Sequence, residues 1–196
     1  MTTRPLVLAS TSPFRRALLE RLGLPFAVAA PDVDETRCPD EPPDDLVLRL
    51  SEAKARAVAG AHPGAVIIGS DQVACLDDLI LGKPGDRATA IEQLRQSSGR
   101  CVTLLTGLCV LDTASGEAAT LIEPFRVHFR PLTQAQIEGY LDREQPYDCA
   151  GSVRSEGLGV ALFTHLEGED PAALIGLPLI RLTALLEAAG IHPLGA

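Results

Sequence analysis

Three hydroxyl side chains and two arginines stand close together near the start of the chain, in the stretch ASTSPFRR. Ser12 followed by Pro13 is typical of a helix N-terminus, where unpaired N–H groups and the positive dipole end attract a phosphate. Arg15 could bind phosphate oxygens through two parallel hydrogen bonds, and Ser10 could add a further donor. The same pattern fits a plain helix cap with solvent-exposed arginines, and the residues alone favour neither interpretation.

Acidic side chains supply a second kind of chemistry. The apolar run IIGSD predicts a strand that ends at Asp71, which would put this carboxylate at the carboxyl edge of a sheet. There it could bind a metal or take a proton from water, although a simple turn aspartate is the commoner case. Asp32, Asp34 and Glu35 lie in an acidic, proline-rich loop whose oxygens suit Mg²⁺ or Mn²⁺. A solvated acidic loop is the alternative, so one or two functional carboxylates are the most we expect there.

The two lysines of the chain and one glycine-rich loop complete the candidates. Lys83 stands in a Gly-Lys-Pro turn and could help to bind a triphosphate. Lys54 falls on a predicted helix, where an ordinary surface lysine is the better interpretation from the residues alone. Glu156, inside CAGSVRSEGLG, could accept hydrogen bonds from a nucleobase, because glycines let the backbone approach a ligand. A glycine-rich loop by itself is weak evidence for such a site.

Composition excludes several classes of function. The formal net charge of −9 repels polyanions, so we expect no nucleic-acid partner. The five cysteines lack metal-ligand spacing and indicate reduced, buried thiols in a cytoplasmic protein. We see no signal peptide and no apolar run that could span a membrane, and so expect no membrane partner. Phosphate-loop, dinucleotide-binding, HExxH and GxSxG motifs are also missing, so a hydrolase here would need carboxylates and a metal.

The order of predicted elements indicates the fold class. Strand and helix signals alternate, and two hairpins interrupt them, one turning at Asp77–Asp78 and one at Ser115–Gly116. Helix starts are predicted at Ser12, at Asp86 and at the capping box that begins with Thr133. These signals predict an α/β fold with a mixed central sheet and flanking helices, in a single domain over residues 1–196.

Eight stretches in order carry a resemblance to a known family. LASTSPFRR, VDET, RLSEAKA, IIGSDQV, LGKP, TGL, CAGS…SEG and LIGLPL together resemble the Maf family of nucleotide pyrophosphatases, from about residue 6 to the final helix. The resemblance implies two lobes around a cleft, similar to inosine triphosphate pyrophosphatases. It also implies hydrolysis of a nucleoside triphosphate to the monophosphate and pyrophosphate with a divalent metal, Mg²⁺ or Mn²⁺.

The resemblance also implies roles for the candidate residues. Asp71 would be the proton acceptor and, together with Glu35, would bind the metal. Lys54 and Lys83 would act with Asp71 in catalysis by offsetting the charge of the triphosphate. Two further residues would bind the phosphates: Ser10 and Arg15.

Three residues bear on the choice of base. Gln72 and Glu156 resemble the Maf branch that cleaves 7-methyl-GTP, whereas the branch acting on dTTP and UTP has Asp-Thr where this chain has Asp71-Gln72. Glu156 could take the guanine N1–H and amino donors, and Gln72 could add amide contacts. Phe14 could stack on the positively charged base, at a position where that branch commonly has Trp.

We therefore expect a cytoplasmic nucleotide pyrophosphatase that removes 7-methyl-GTP from the nucleotide pool. One alternative is the same chemistry on dTTP, UTP or other modified triphosphates. Another is a nucleotide-binding regulator of cell division that binds without turnover. The expected partner is a small-molecule nucleoside triphosphate, and the family resemblance adds a possible homodimer.

Overall fold

The structure is a computed structural model that describes residues 4–195. Its strands are β1 (Leu6–Ala9), β2 (Ala27–Ala29), β3 (Val66–Leu76), β4 (Leu79–Leu81), β5 (Cys101–Asp112), β6 (Ala118–Phe129) and β7 (Phe163–Glu167). Its α-helices are α1 (Pro13–Glu20), α2 (Pro43–Ala59), α3 (Arg87–Ser97), α4 (Gln134–Glu144) and α5 (Leu179–Ala188). Short 3₁₀ helices cover Ala150–Ser152, Leu158–Leu162 and Pro171–Ile175.

The strands form one mixed sheet, which confirms the predicted α/β fold class. Its order is β2-β1-β3-β5-β6-β7, with β4 paired to β3. β1 runs parallel to both β2 and β3, whereas β4 is antiparallel to β3 and β7 is antiparallel to β6. The parallel pairs follow from the helical connections, since parallel neighbours need a crossover, and the antiparallel β3–β4 pair follows from a short turn.

Two compact units can be distinguished along the chain. The first contains the residues up to Asp71, Thr106–Glu123 and the residues from Asp170 onward. The second contains Gln72–Leu105 and Pro124–Glu169. In the second unit, α3 and α4 pack together, and Phe129 meets Phe163 edge to face with ring centroids 5.3 Å apart.

The core of the first unit follows from the two-residue period of its strands. Leu8 of β1 and Ile68 of β3 point to one side, where they pack with residues of α1 and α5. Val7 and Ile67 point to the other side, where they pack with Ala55 and other residues of α2. Each of these large side chains is almost wholly buried and contributes about 1.5–3 kcal/mol to stability.

Local capping signals predicted three helix starts correctly. The Ser12 side chain accepts a hydrogen bond from the Arg15 amide, and Asp86 accepts one from the Thr89 amide. Thr133 and Gln136 form the predicted capping box. These starts were readable because each depends on residues within one turn of the helix.

Two predictions about local structure were wrong. β3 does not end at Asp71 but continues to Leu76, because its last residues pair with β4. What ends near Asp71 is the parallel pairing with β1, whose last pair is Ala9 with Gly69. The second concerns the thiols: Cys38 is exposed, although Cys75 and Cys109 are buried.

The five cysteines, all within residues 4–195, form no disulfide. No helix in the described part of the chain is both long enough and apolar enough to cross a membrane.

A glycine lets α2 approach the sheet closely. A Cβ atom placed on Gly69 would lie 2.1 Å from the Ser51 carbonyl oxygen and 2.9 Å from the Ala55 amide nitrogen. Both are backbone atoms of α2, so neither can swing aside as a side chain could. The lack of a side chain at position 69 therefore sets the distance between α2 and β3.

We predict that Gly69→Ala destabilises the protein by about 1–3 kcal/mol, since overpacking of a filled interior costs this much. Gly60→Ala is the control, because Gly60 ends α2 with φ −62° and has open space around its Cα. Urea unfolding measures both variants. Equal unfolding midpoints for the two variants would contradict the steric argument.

Candidate active site

A buried lysine stands between two carboxylates in the first unit. Lys54 Nζ lies 2.6 Å from Asp71 Oδ1 and 2.8 Å from Glu35 Oε1. The Lys54 and Asp71 side chains are only 6% and 10% exposed, whereas that of Glu35 is 59% exposed. The interpretation of Lys54 as an ordinary surface lysine is therefore wrong: the structure brings together three of the residues that the sequence singled out.

Helix periodicity explains why Lys54 points to Asp71. Ser51, Lys54 and Ala55 lie on one face of α2, at spacings of three and four residues. That face packs on β3 at Gly69, two residues before Asp71. The close approach at Gly69 thus sets the lysine amine beside the aspartate.

Arg15 joins this group from the first turn of α1. Its Nε donates a hydrogen bond to the Gly176 carbonyl oxygen at 2.8 Å. Burial lowers the pKa of the Arg15 guanidinium, and the negative charges of Asp71 and Glu35 oppose that change. The charges of both carboxylates therefore act on the Arg15 guanidinium.

Ser10 stands at the junction between β1 and α1. It is buried, and its hydroxyl oxygen accepts a hydrogen bond from the Ser12 amide at 3.1 Å. A hydroxyl that accepts in this way keeps its own proton to donate elsewhere. Ser10 and the Ser12 cap thus lie together at the junction from which α1 carries Arg15.

The sequence analysis missed the groups that hold Arg15 in place. The Gly176 carbonyl that receives Arg15 also receives the Ser70 hydroxyl at 3.0 Å, one residue before Asp71. The Thr106 hydroxyl donates to the Ala173 carbonyl in the same 3₁₀ segment, also at 3.0 Å. Thr106 and Gly176 belong to the TGL and LIGLPL stretches of the resemblance and Ser70 belongs to IIGSDQV, but the resemblance gave none of these three residues a role. The signal available in the sequence was the glycine of LIGLPL. Gly176 has φ 118°, a backbone conformation that few other residues adopt.

The acidic loop contributes one carboxylate to the group around Lys54, namely Glu35. Asp34 instead accepts a hydrogen bond from the Thr36 amide at 2.9 Å, and its contacts with Thr36 lower the pKa of this carboxyl. Asp34 thus forms a turn. Within residues 4–195, no three His, Cys, Asp or Glu side chains are arranged to hold a metal ion. Asp71 and Glu35 are the carboxylates that share Lys54, and their role as metal ligands stays a prediction.

The other predicted site residues can be placed individually. Phe14 is partly exposed on α1, next to Arg15. Gln72 follows Asp71 on β3 and belongs to the second unit. Lys83 is exposed in the segment after β4, and Glu156 is exposed in the turn before the second 3₁₀ helix. Contact of these four side chains with a ligand stays a prediction.

Comparisons with known proteins agree on one family. A family model described as Maf-like protein matches residues 5–189. A protein of Nitrosococcus oceani named 7-methyl-GTP pyrophosphatase is 62% identical, over 94% of this chain and 93% of its own length. Proteins of the same name from Alcanivorax borkumensis and Alkalilimnicola ehrlichii are 57% and 56% identical, and each alignment covers at least 96% of both chains.

A solved structure, that of the Staphylococcus aureus Ham1 protein, aligns with 95% of this chain and all of its own, at a TM-score of 0.48 and 11% identity. The family match and the three relatives each extend over nearly the whole chain. On this evidence the chain belongs to the Maf family of nucleotide pyrophosphatases, as its eight short motifs predicted.

Proposed function

We propose that this protein hydrolyses 7-methyl-GTP to 7-methyl-GMP and pyrophosphate. The observation that carries the proposal is the group formed by Lys54, Asp71 and Glu35, with Arg15 close enough to sense both carboxylates. Such a group offers an anion site, a proton acceptor and hard oxygen ligands together. Relatives that are 56–62% identical and named 7-methyl-GTP pyrophosphatase support the choice of substrate.

The proposed phosphate contacts begin at the N-terminus of α1. Arg15 uses Nε within the protein, and a guanidinium has two further nitrogens with which to bind phosphate oxygens in parallel. The first N–H groups of α1 and the Ser10 hydroxyl add donors of the kind found at phosphate sites. Lys83, which is exposed, is proposed to offset the charge of the pyrophosphate part.

The chemical nature of Glu35 and Asp71 fits a divalent metal. Mg²⁺ is usually held by one or two protein carboxylates, with substrate phosphates and water as its other ligands. Glu35 and Asp71 supply two such carboxylates around Lys54 Nζ. When bound there, the metal would stabilise negative charge on the phosphoryl oxygens.

Asp71 is proposed to accept the proton of the attacking water. Lys54 contacts Oδ1 and so fixes the orientation of the carboxylate, which has Oδ2 as its second oxygen. Water would then form a new oxygen bond to the α-phosphorus as the bond from that phosphorus to the bridging oxygen breaks. Pyrophosphate carries away the bonding electrons, and the proton goes to Asp71.

Recognition of the base is assigned to three residues. A methylated guanine carries a delocalised positive charge, which favours an aromatic face and a nearby carboxylate. We assign the aromatic face to Phe14, the carboxylate to Glu156 and additional amide contacts to Gln72. Phe stacks less strongly on a cation than Trp does, so selectivity for the methylated base is expected to be moderate.

The first test is a substrate panel of 7-methyl-GTP, GTP, dTTP and UTP, with detection of pyrophosphate and with Mg²⁺, Mn²⁺ or neither. We expect 7-methyl-GTP to give the highest kcat/KM and product to form only with a metal. Equal kcat/KM on GTP and 7-methyl-GTP would contradict methyl selectivity. Faster turnover of dTTP or UTP would favour the other Maf branch, and binding without any product would favour the regulator.

The second test removes the proposed base. Asp71→Asn keeps the size of the side chain but loses its basicity, so we expect kcat to fall by about 10²–10⁴-fold. Asp142→Asn is the matched control, because Asp142 of α4 forms an exposed ion pair with Arg87 of α3. Thermal unfolding of both variants checks that the fold is intact. A folded Asp71→Asn variant with near-normal kcat would refute the role of Asp71.

A further inference from the structure

Glu35 reaches Lys54 from a long irregular loop. The loop joins β2 to α2 over residues 30–42 and contains no helix or strand. The Glu35 side chain is 59% exposed, and an ion pair with such an exposed partner is a weak anchor. Something else must hold this part of the loop if Glu35 is to keep a fixed position beside Lys54.

Arg49 of α2 supplies that anchor. Its Nε lies 2.6 Å from Glu41 Oε1 and its Nη2 lies 2.8 Å from Glu41 Oε2, so the two side chains form a paired, two-point contact. Nη2 also donates to the Thr36 carbonyl oxygen at 3.2 Å, one residue after Glu35. One guanidinium thus binds the loop both at its far end and next to Glu35.

Glu41 in turn organises the loop between these two points. Its Oε2 accepts a hydrogen bond from the Cys38 amide at 3.0 Å, and its carbonyl oxygen accepts one from Arg37 Nε at 2.7 Å. Its side chain is only 9% exposed, and the Arg49 hydrogen bonds hold the pKa of Glu41 at about 2. A carboxyl with this pKa is ionised at neutral pH, so its contact with Arg49 persists there.

Both ends of this arrangement stand on one rigid element. Arg49 and Lys54 lie five residues apart on α2, which is a 17-residue helix packed on β3 at Gly69. The helix that carries Lys54 therefore also carries Arg49, which anchors the loop that contains Glu35. We propose that Arg49 is a positioning residue which, through Glu41 and the Thr36 carbonyl, keeps Glu35 beside Lys54 ready to bind the metal.

This inference rests on the proposed function, because it assigns Glu35 to the metal. It also has a chemical requirement of its own. A lysine at position 49 has one point-like ammonium group and cannot reproduce the planar fork that binds both Glu41 oxygens and a carbonyl. Arg49→Lys thus keeps the positive charge but loses the simultaneous contacts with both Glu41 oxygens and the Thr36 carbonyl.

The first experiment measures the loop without any ligand or turnover. Hydrogen exchange followed by mass spectrometry is compared for the wild type, Arg49→Lys and Arg56→Lys in the full chain. Arg56 is the matched control, because it lies on the same helix in an exposed pair with Glu52. We expect amides of residues 34–41, the Cys38 amide above all, to exchange faster in Arg49→Lys alone. Unchanged exchange in Arg49→Lys would overturn the inference and leave the proposed function intact.

The second experiment tests whether the position of Glu35 affects metal binding. We expect Arg49→Lys to raise the Mg²⁺ concentration for half-maximal velocity by about tenfold, as is typical when a residue that orients a metal ligand is lost. Thermal unfolding should match that of Arg56→Lys, which separates this effect from general destabilisation. Glu35→Gln sets the reference, and the double variant should be no worse than Glu35→Gln alone.

The outcomes separate the two ideas. Additive losses in the double variant would mean that Arg49 does not act through Glu35, and would overturn the inference. A normal Mg²⁺ requirement in Glu35→Gln would instead refute the proposed role of Glu35 in metal binding. Faster exchange together with a raised Mg²⁺ requirement, absent in Arg56→Lys, would support both.

Discussion

The ammonium group of Lys54 imposes the constraint on which the candidate site depends. An amine that is 6% exposed must be paired, because an isolated buried charge costs far more than a typical domain can tolerate. Two carboxylates, Asp71 and Glu35, meet this requirement. The geometry in turn requires α2 to lie close to β3, and Gly69 permits that approach. Packing and electrostatics are thus linked through one glycine and one lysine.

A second link runs through a single carbonyl oxygen. Gly176 receives both Arg15 from α1 and Ser70 from β3, although these residues are far apart in the sequence. The segment before α5 therefore connects α1 with β3 next to the proposed phosphate-binding residues. This contact gives the LIGLPL stretch a structural role.

The sequence predicted features that depend on near neighbours. The caps at Ser12, Asp86 and Thr133 and the turn around Gly116 need only a few adjacent residues, so local chemistry was enough to locate them. The continuation of β3 past Asp71 was missed because it depends on pairing with another strand. The burial of Lys54 was missed because a helix pattern cannot show which face meets a glycine on a sheet.

In the candidate site, too, residue types could be predicted from the sequence, whereas tertiary contacts could not. Asp71, Glu35 and Lys54 were named from motifs, and the structure brings their side chains together; their chemical roles remain proposals. The supporting groups, Gly176, Ser70 and Arg49, were not named, because what they do depends on contacts with residues outside their own motifs. Residue type can suggest a reactive group, whereas the groups that orient it become visible only after folding.

The unequal exposure of the two lysines has a practical consequence. Amine reagents attack the unprotonated form of an accessible side chain, and here one lysine is exposed while the other is enclosed and bound to two carboxylates. Acylation should therefore label Lys83 well before Lys54. With only two lysine side chains in the sequence, mass spectrometry could read each one separately, so chemical footprinting can follow the two units of this protein independently.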